Sequence, residues 1–207
     1  MGLGQSNNSI LVHQMLPRIK TLGPFSRFAL WTQGCMKRCP GCVSPDSRPL
    51  DRGHEVPVED IAQRIHKEQE HEGITISGGE PFLQAAALCR LIDLIRQEKD
   101  YGVILYTGYV YEELKGADAP ADAEELLKRI DLMIDGPYIR ELNDNGSLRG
   151  SSNQRLIWLT DRYKEYANLY GAPESRNIEI RWTGEEFFIA GIPSKQTVRL
   201  QWPGRDD

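Results

Sequence analysis

Three cysteines lie within one short segment of the chain, Gly34–Cys42. Their CxxxCxxC spacing lets the thiolates of Cys35, Cys39 and Cys42 bind three irons of a cubane iron–sulfur cluster. The glycine and proline residues of the segment favour the tight turns with which a short loop wraps such a cluster. No fourth cysteine follows closely, which leaves one iron open to a substrate or cofactor, as is typical of a catalytic metal site.

The same three thiols also suit a structural zinc ion, with His54 or His66 as a fourth ligand. Zinc sites usually combine two Cys-x-x-Cys or Cys/His pairs, and this sequence has no second pair. The spacing therefore favours the iron–sulfur cluster and leaves zinc as the alternative. The remaining cysteine, Cys89, is predicted to be a buried apolar residue of a helix.

A second chemical signal is the segment Ser77–Pro81, which reads Ser-Gly-Gly-Glu-Pro. Two glycines at the end of a strand let the backbone approach a ligand closely. The carboxylate of Glu80 can accept hydrogen bonds from an ammonium group, and Pro81 suits the first turn of a following helix. The segment is a weak signal alone and becomes specific when it follows the three cysteines by one βα unit.

Strands and helices alternate around these residues. Short apolar runs predict strands at Phe28–Trp31, Ile74–Ser77, Val103–Tyr106 and Leu132–Ile134. Apolar residues at helical spacing predict helices at Val58–His71, from Pro81 onward, at Tyr111–Leu114 and at Ala123–Ile130. This alternation favours parallel βαβ units and an α/β fold, with helices covering a buried sheet.

Each predicted strand is followed by residues that could do chemistry. The cysteines follow the first strand and Ser77–Pro81 ends the second, while Thr107 follows the third and Asp135 the fourth. Parallel strands end at one edge of their sheet, and ligand sites of α/β proteins gather at that carboxyl edge. We therefore expect these residues to share one site.

Composition excludes several other classes of protein. The 207 residues are 40% apolar and carry a formal net charge of −5, which disfavours a nucleic-acid-binding surface. No apolar stretch approaches the roughly 20 residues of a membrane helix, and the start of the chain lacks a secretory apolar region. We expect a protein of the reducing cytoplasm, without nucleic-acid or membrane partners.

The chain is predicted to divide into three parts: a lead-in over residues 1–24, a core over 25–170 and an extension over 171–207. Within the core, Gly136–Asn153 is polar, rich in glycine and too long for a routine connection, so it is expected to be functional. Two short apolar runs, Asn177–Trp182 and Glu186–Ala190, predict a β-hairpin in the extension.

Taken together, the motifs resemble those of the radical SAM superfamily, and most closely those of its small activases, which install a glycyl radical in another enzyme. The matching segments are Trp31–Cys42, Ser77–Pro81, Tyr106–Tyr109, Asp131–Tyr138 and Arg149–Arg155. The resemblance extends from about Phe25 to Leu159. It implies a partial (β/α) barrel of about five to six units, open at the mouth, as the core domain.

The resemblance also implies cofactors and their contacts. Cys35, Cys39 and Cys42 would hold a [4Fe–4S] cluster whose fourth iron takes the amino and carboxylate groups of S-adenosylmethionine. Glu80 and the two glycines before it would line the methionyl amino group. The complete set of implied cofactor contacts is Gly41, Val43, Gly78, Gly79, Glu80, Thr107 and Asp135.

The implied activity is the reductive cleavage of S-adenosylmethionine, whose 5′-deoxyadenosyl radical removes hydrogen from a glycine of a partner like the anaerobic ribonucleotide reductase. A flavodoxin or ferredoxin would supply the electron. Candidate partner contacts are Arg140, Arg149, Asn153 and Arg155. Two alternatives stay open: a radical SAM enzyme that acts on a small molecule or peptide, and a non-catalytic iron–sulfur or zinc module for binding or electron transfer.

Overall fold

Nine strands form in the computed structural model, which describes residues 7–68, 70–170, 176–182 and 187–194. They are β1 (Ser9–Ile19), β2 (Arg27–Thr32), β3 (His54–Pro57), β4 (Gly73–Gly78), β5 (Gly102–Tyr106), β6 (Leu132–Asp135), β7 (Arg155–Trp158), β8 (Ile178–Trp182) and β9 (Phe187–Gly191). Seven of them form one sheet in the order β3-β1-β2-β4-β5-β6-β7, and β8 pairs with β9 in a separate hairpin.

Four α-helices follow the strands of the large sheet: α1 (Val58–Lys67), α2 (Ala85–Arg96), α3 (Tyr111–Leu114) and α4 (Ala123–Leu127). Helix α1 buries a stripe that includes Ile61 and Ile65, as the helical spacing predicts. The helix expected at Pro81 starts as a 3-10 turn, Pro81–Gln84, and becomes α-helical only at Ala85. Further 3-10 turns lie at Pro45–Ser47, Arg140–Leu142 and Lys164–Leu169.

The four central strands, β2, β4, β5 and β6, are parallel neighbours. They contain the four strands that the sequence predicts, so the prediction of parallel βαβ units is confirmed. Their carboxyl ends meet at one edge of the sheet, where Thr32 is paired with Gly78 in register and Tyr106 is paired with Ile134. This edge carries the site described below.

Three antiparallel strands complete the sheet on either side of the parallel centre. The predicted lead-in contributes β1, which pairs with β2 and with the short edge strand β3, while β7 pairs with β6 on the other side. Among the described residues β3 and β7 have no further strand partner, so the sheet is open. The structure therefore shows a mixed α/β sheet and not a closed barrel.

The two faces of the sheet bury different residues. One face packs against the helices in a large apolar core that includes Phe28, Ile76 and Leu105. The other face has smaller apolar clusters, and near its amino edge it buries Arg27 completely. The guanidinium donates to the Thr75 hydroxyl at 2.6 Å and to the Glu72 carboxylate at 2.9 Å, so its charge is compensated.

The predicted terminal hairpin is confirmed as β8 and β9. It packs on the face opposite the helices, where Ala190 is buried against Leu16 and Ile19 of β1. Glu186, which we expected in its second strand, lies outside the described residues. None of the helices in the described ranges has both the length and the apolar composition needed to cross a membrane.

Candidate active site

The cysteine segment leaves the end of β2 as a loop and is tied down along its length. The amide of Gly34 donates to the Ser47 carbonyl at 2.8 Å, and the amide of Cys35 donates to the Arg48 carbonyl at 2.9 Å. The Gln33 side-chain amide donates to two backbone carbonyls further along the loop. The donor lies 2.7 Å from the Pro49 oxygen and 3.2 Å from the Asp46 oxygen. These contacts fix where the loop begins and where it returns.

A second set of hydrogen bonds joins this loop to the turn after β4. The Gly79 amide donates to the Thr32 carbonyl and the Glu80 amide donates to the Gly34 carbonyl, each at 2.8 Å. A Cβ atom at position 79 would overlap the Gly34 carbonyl, so only glycine permits this close approach. Gly78 adopts a φ of +105°, which also favours glycine. The two motifs of the sequence therefore form one unit at the sheet edge.

An open cleft lies at this edge, on the face opposite the helices. Eight of the ten residues predicted to bind cluster or cofactor line it: Cys35, Cys39, Cys42, Val43, Gly78, Gly79, Glu80 and Thr107. The topology accounts for their convergence because they come from loops after adjacent parallel strands.

The three cysteines carry free, half-buried thiols on one side of the cleft. Burial raises the pKa of the Cys35 thiol to about 11 and also raises that of Cys42, so metal binding must displace protons from these thiols. Within the described ranges no group of three Cys, His, Asp or Glu side chains is arranged around a single ion. The irons of a cubane cluster each take one thiolate, so three thiols that line one cleft suit such a cluster.

Neither histidine of the zinc alternative joins the cysteines. His66 lies on α1, where Nδ1 is 3.1 Å from the Glu98 carboxylate, and His54 is exposed on the edge strand β3. Neither His54 nor His66 is therefore placed to complete a structural zinc site with the cysteines.

Glu80 lines the same cleft as the cysteines, and its side chain is buried. It accepts hydrogen bonds from the Thr107 hydroxyl and the Gly108 amide at 2.8 Å each, and from the Phe82 amide at 3.1 Å. Burial raises the pKa of Glu80 to about 7, although these bonds oppose the shift. No cationic side chain of the described chain forms an ion pair with it, so the carboxylate is suited to an ammonium group of a ligand.

Lys37, which stands between two of the cysteines in sequence, also lines the cleft. Its ammonium lies 4.1 Å from the centre of the Tyr109 ring and 3.6 Å from the Glu113 carboxylate. These contacts hold a positive charge in the cleft, where it lowers the pKa of Glu80 and so opposes part of the effect of burial.

Two predicted cofactor contacts do not line the cleft. Gly41 has a φ of +65° and packs against the guanidinium of Arg140. The fully buried carboxylate of Asp135 accepts from the Tyr111 amide at 2.8 Å and from Arg155 Nε at 3.0 Å. Because its lone pairs already serve these donors, Asp135 supports the connection between β6 and β7, and its predicted role gains no support here.

The four candidate partner contacts are not equally available. Arg149 pairs with Asp144 at 2.5 Å, and the Asn153 side-chain amide donates to the Pro137 carbonyl at 2.8 Å. Arg155 is held by Asp135 and by the exposed carboxylate of Glu112. Arg140 is exposed beside the cysteine loop, so it is the candidate best placed to meet another protein.

The cleft also has walls that sequence reasoning missed. Tyr106, at the end of β5, lines it, and its hydroxyl is buried without a hydrogen-bond partner in the described structure. Tyr138 and Gln154 come from the long loop after β6, and Ile189 comes from the hairpin. The position of Tyr106 at a predicted strand end was an available signal, whereas nothing local to the hairpin sequence indicates that it reaches the cleft.

Comparison with known proteins agrees with this site. Residues 21–157 match the family described as a 4Fe-4S single cluster domain, which is the class that the fold and the cysteine loop define. The chain belongs to this family. Its relatives specify the branch: it is one of the activating enzymes of glycyl radical proteins, and its cofactors are a [4Fe–4S] cluster and S-adenosylmethionine.

Three relatives support this assignment. The chain is 33% identical over 150 residues to the anaerobic ribonucleoside-triphosphate reductase-activating protein of Vibrio cholerae, covering 69% of this chain and 94% of the relative. It is 32% identical to the protein of the same name from Salmonella typhi over 156 residues, with the same coverage. The pyruvate formate-lyase-activating enzyme of Clostridium pasteurianum is 29% identical over 129 residues, which are 60% of this chain and 50% of that enzyme.

Proposed function

We propose that the chain generates a glycyl radical on a partner like the anaerobic ribonucleoside-triphosphate reductase, the protein that its relatives are named for activating. The observation that carries this proposal is the cleft at the carboxyl edge of the sheet. It brings three half-buried thiols together with one buried carboxylate that forms no ion pair among the described residues, although these groups come from separate strands.

The residues of the cleft divide the work of holding the cofactors. Cys35, Cys39 and Cys42 would bind the cluster, and Glu80 would accept hydrogen bonds from the amino group of S-adenosylmethionine. When bound, this pair of cofactors supplies the one-electron chemistry that removes a hydrogen atom from a glycine Cα. The protein's part is to orient the two groups and to keep water and other side chains away from the reacting centre.

The glycine of the partner would enter the cleft from its open side. Its Cα–H is a suitable target because the resulting radical is delocalised into the two flanking amides. Arg140, exposed beside Gly41 at the cysteine loop, would meet acidic groups of the partner. Arg149, Asn153 and Arg155 would act mainly by keeping the loop after β6 in shape, since each is already bound within the chain.

Three further features belong to the same proposal. A flavodoxin or ferredoxin would donate the electron, and the free thiols suit the reducing conditions of the cytoplasm. The open sheet would correspond to the partial barrel that the resemblance implies, with the cleft at the open end of that barrel. In support, the side chains of the face opposite the helices already form their own buried clusters.

The proposal is tested by reconstituting the protein with iron and sulfide without oxygen, reducing it and adding S-adenosylmethionine. We expect 5′-deoxyadenosine, and with the glycyl radical protein of the same genome we expect a glycine-centred doublet in electron paramagnetic resonance. A silent spectrum while 5′-deoxyadenosine accumulates would favour a small-molecule or peptide substrate. A colourless, air-stable, zinc-containing protein without product would rule out both enzymatic functions.

A further inference from the structure

A small set of hydrogen bonds docks the C-terminal hairpin on the core. The Glu179 carboxylate accepts from the backbone amides of Lys20 at 2.5 Å and Thr21 at 3.0 Å. Just before the hairpin, the Arg176 guanidinium donates to the Gly146 carbonyl at 3.1 Å and to the Asn143 side chain at 3.1 Å. These bonds join the hairpin both to the end of β1 and to the long loop after β6.

The docked hairpin forms part of the wall of the active-site cleft. Ile189 and Gly191 of β9, and Ile192 immediately after it, line the same cleft as the three cysteines and Glu80. A segment that enters the cleft on this side would therefore lie next to β9.

Successive side chains of the hairpin point to opposite faces, as in any pair of β-strands, and both faces carry apolar side chains. Ala190 and Phe188 face the core. The outer face presents Ile180, Trp182 and Phe187, which are 64%, 57% and 71% exposed. Ile180 is paired in register with Ile189 of the cleft wall, so the exposed apolar face continues into the cleft. We call Ile180, Trp182 and Phe187 the outer face of the hairpin.

The hairpin lies beyond the part of the chain that the family shares. The family match ends at residue 157, and the Vibrio cholerae relative is covered over 94% of its length by only 69% of this chain. The cleft wall supplied by β9 therefore lies outside the segment that matches the family model.

We propose that the outer face of the hairpin docks the glycine-bearing segment of the glycyl radical partner and so helps to determine which partner the enzyme activates. This inference rests on the proposed function. Exposed aromatic and aliphatic side chains of this kind are typical anchors of protein interfaces. The face carries no charged side chain among the described residues, so it fits an uncharged, apolar segment whose glycine continues into the cleft past Ile189.

The test compares two single substitutions that remove equally exposed apolar side chains. Ile180→Ser changes the outer face, whereas Leu169→Ser changes a residue that is also 64% exposed but does not line the cleft. Binding of each reconstituted enzyme to the purified glycyl radical protein of the same genome is measured by isothermal titration calorimetry without oxygen. We expect Ile180→Ser to raise Kd by about tenfold and the double variant W182S/F187S by more, while Leu169→Ser leaves Kd unchanged.

A second readout separates this inference from the proposed function. Production of 5′-deoxyadenosine without partner should be the same in all variants, which shows that the site is intact, while the rate of glycyl radical formation falls with affinity. If the wild type forms the radical and the hairpin variants match it in Kd and rate, the docking role is refuted and the proposed function stands. If the wild type forms no radical, both fail. The wild type could also prove to be a dimer that the hairpin variants convert to monomers while the affinity for the partner stays unchanged. That result would refute the docking role and would assign the outer face to self-association.

Discussion

At the scale of single residues, the chemistry depends on groups whose local surroundings are unlike those of surface residues. The three motif cysteines and Glu80 are titratable groups that line one cleft. Withdrawal from water raises the pKa values of Cys35, Cys42 and Glu80, and a cationic or metallic ligand would reverse the shift by favouring their charged forms. The free site is thus suited to ligands that bring positive charge.

Replacing Cys39 with alanine should abolish the cluster, because only two protein thiolates would remain for three irons. The measurement is the iron content and visible absorbance of anaerobically reconstituted protein. Cys89→Ala is the matched control: Cys89 is buried in the helical core and lies outside the cleft. It should keep the cluster while losing some stability. Full iron loading of the Cys39 variant would contradict the ligand assignment.

Replacing Glu80 with glutamine should weaken the binding of S-adenosylmethionine. The neutral amide cannot compensate an ammonium group, and its NH₂ would replace one of the two oxygens that accept from Thr107 and Gly108. Loss of one partner in such a buried pair costs about 2 kcal/mol or more, which is roughly thirtyfold in Kd. Equilibrium dialysis with the reconstituted enzyme measures the Kd of S-adenosylmethionine. The control Glu59→Gln alters an exposed carboxylate on α1, and equal affinities of the two variants would argue against the assigned role.

At the scale of secondary-structure elements, the site depends on close contact between the cysteine loop and the turn after β4. Gly79→Ala should destabilise the protein by about 1–3 kcal/mol, since its Cβ would overlap the Gly34 carbonyl and neither backbone can move freely. At Gly108 an added Cβ would lie 3.3 Å from the flexible Lys37 side chain, so Gly108→Ala should cost far less. Urea denaturation of the two apoproteins measures the difference, and similar midpoints would contradict this explanation.

At the scale of the whole molecule, the hairpin is attached to the core by few contacts, so it should open independently of the large sheet. Glu179→Ala removes the acceptor for the Lys20 and Thr21 amides. Hydrogen–deuterium exchange should accelerate in β8 and β9, reflecting a loss of about 1–3 kcal/mol in local stability, while exchange in β4 and β5 stays slow. Glu55→Ala, on the edge strand β3, is the control. Unchanged exchange in β8 would show that other contacts hold the hairpin.

Much of the fold and site was predictable because the signals were local. The CxxxCxxC spacing and Ser77–Pro81 contain their chemistry in consecutive residues. Apolar periodicity located the four central strands, and their parallel order then placed Thr107 at the same edge. The family assignment followed from those segments and is confirmed by the relatives.

The remaining features depend on contacts between residues far apart in the chain. Asp135 turns from the cleft to Arg155 because β7 returns antiparallel to β6, and Ile189 reaches the cleft because Glu179 docks the hairpin at the end of β1. The amino-acid sequence by itself determined the candidate cofactor ligands and the edge on which they lie, since both follow from short-range spacing. Only the tertiary structure decided which polar groups are already occupied and what walls the cleft, since packing sets those contacts.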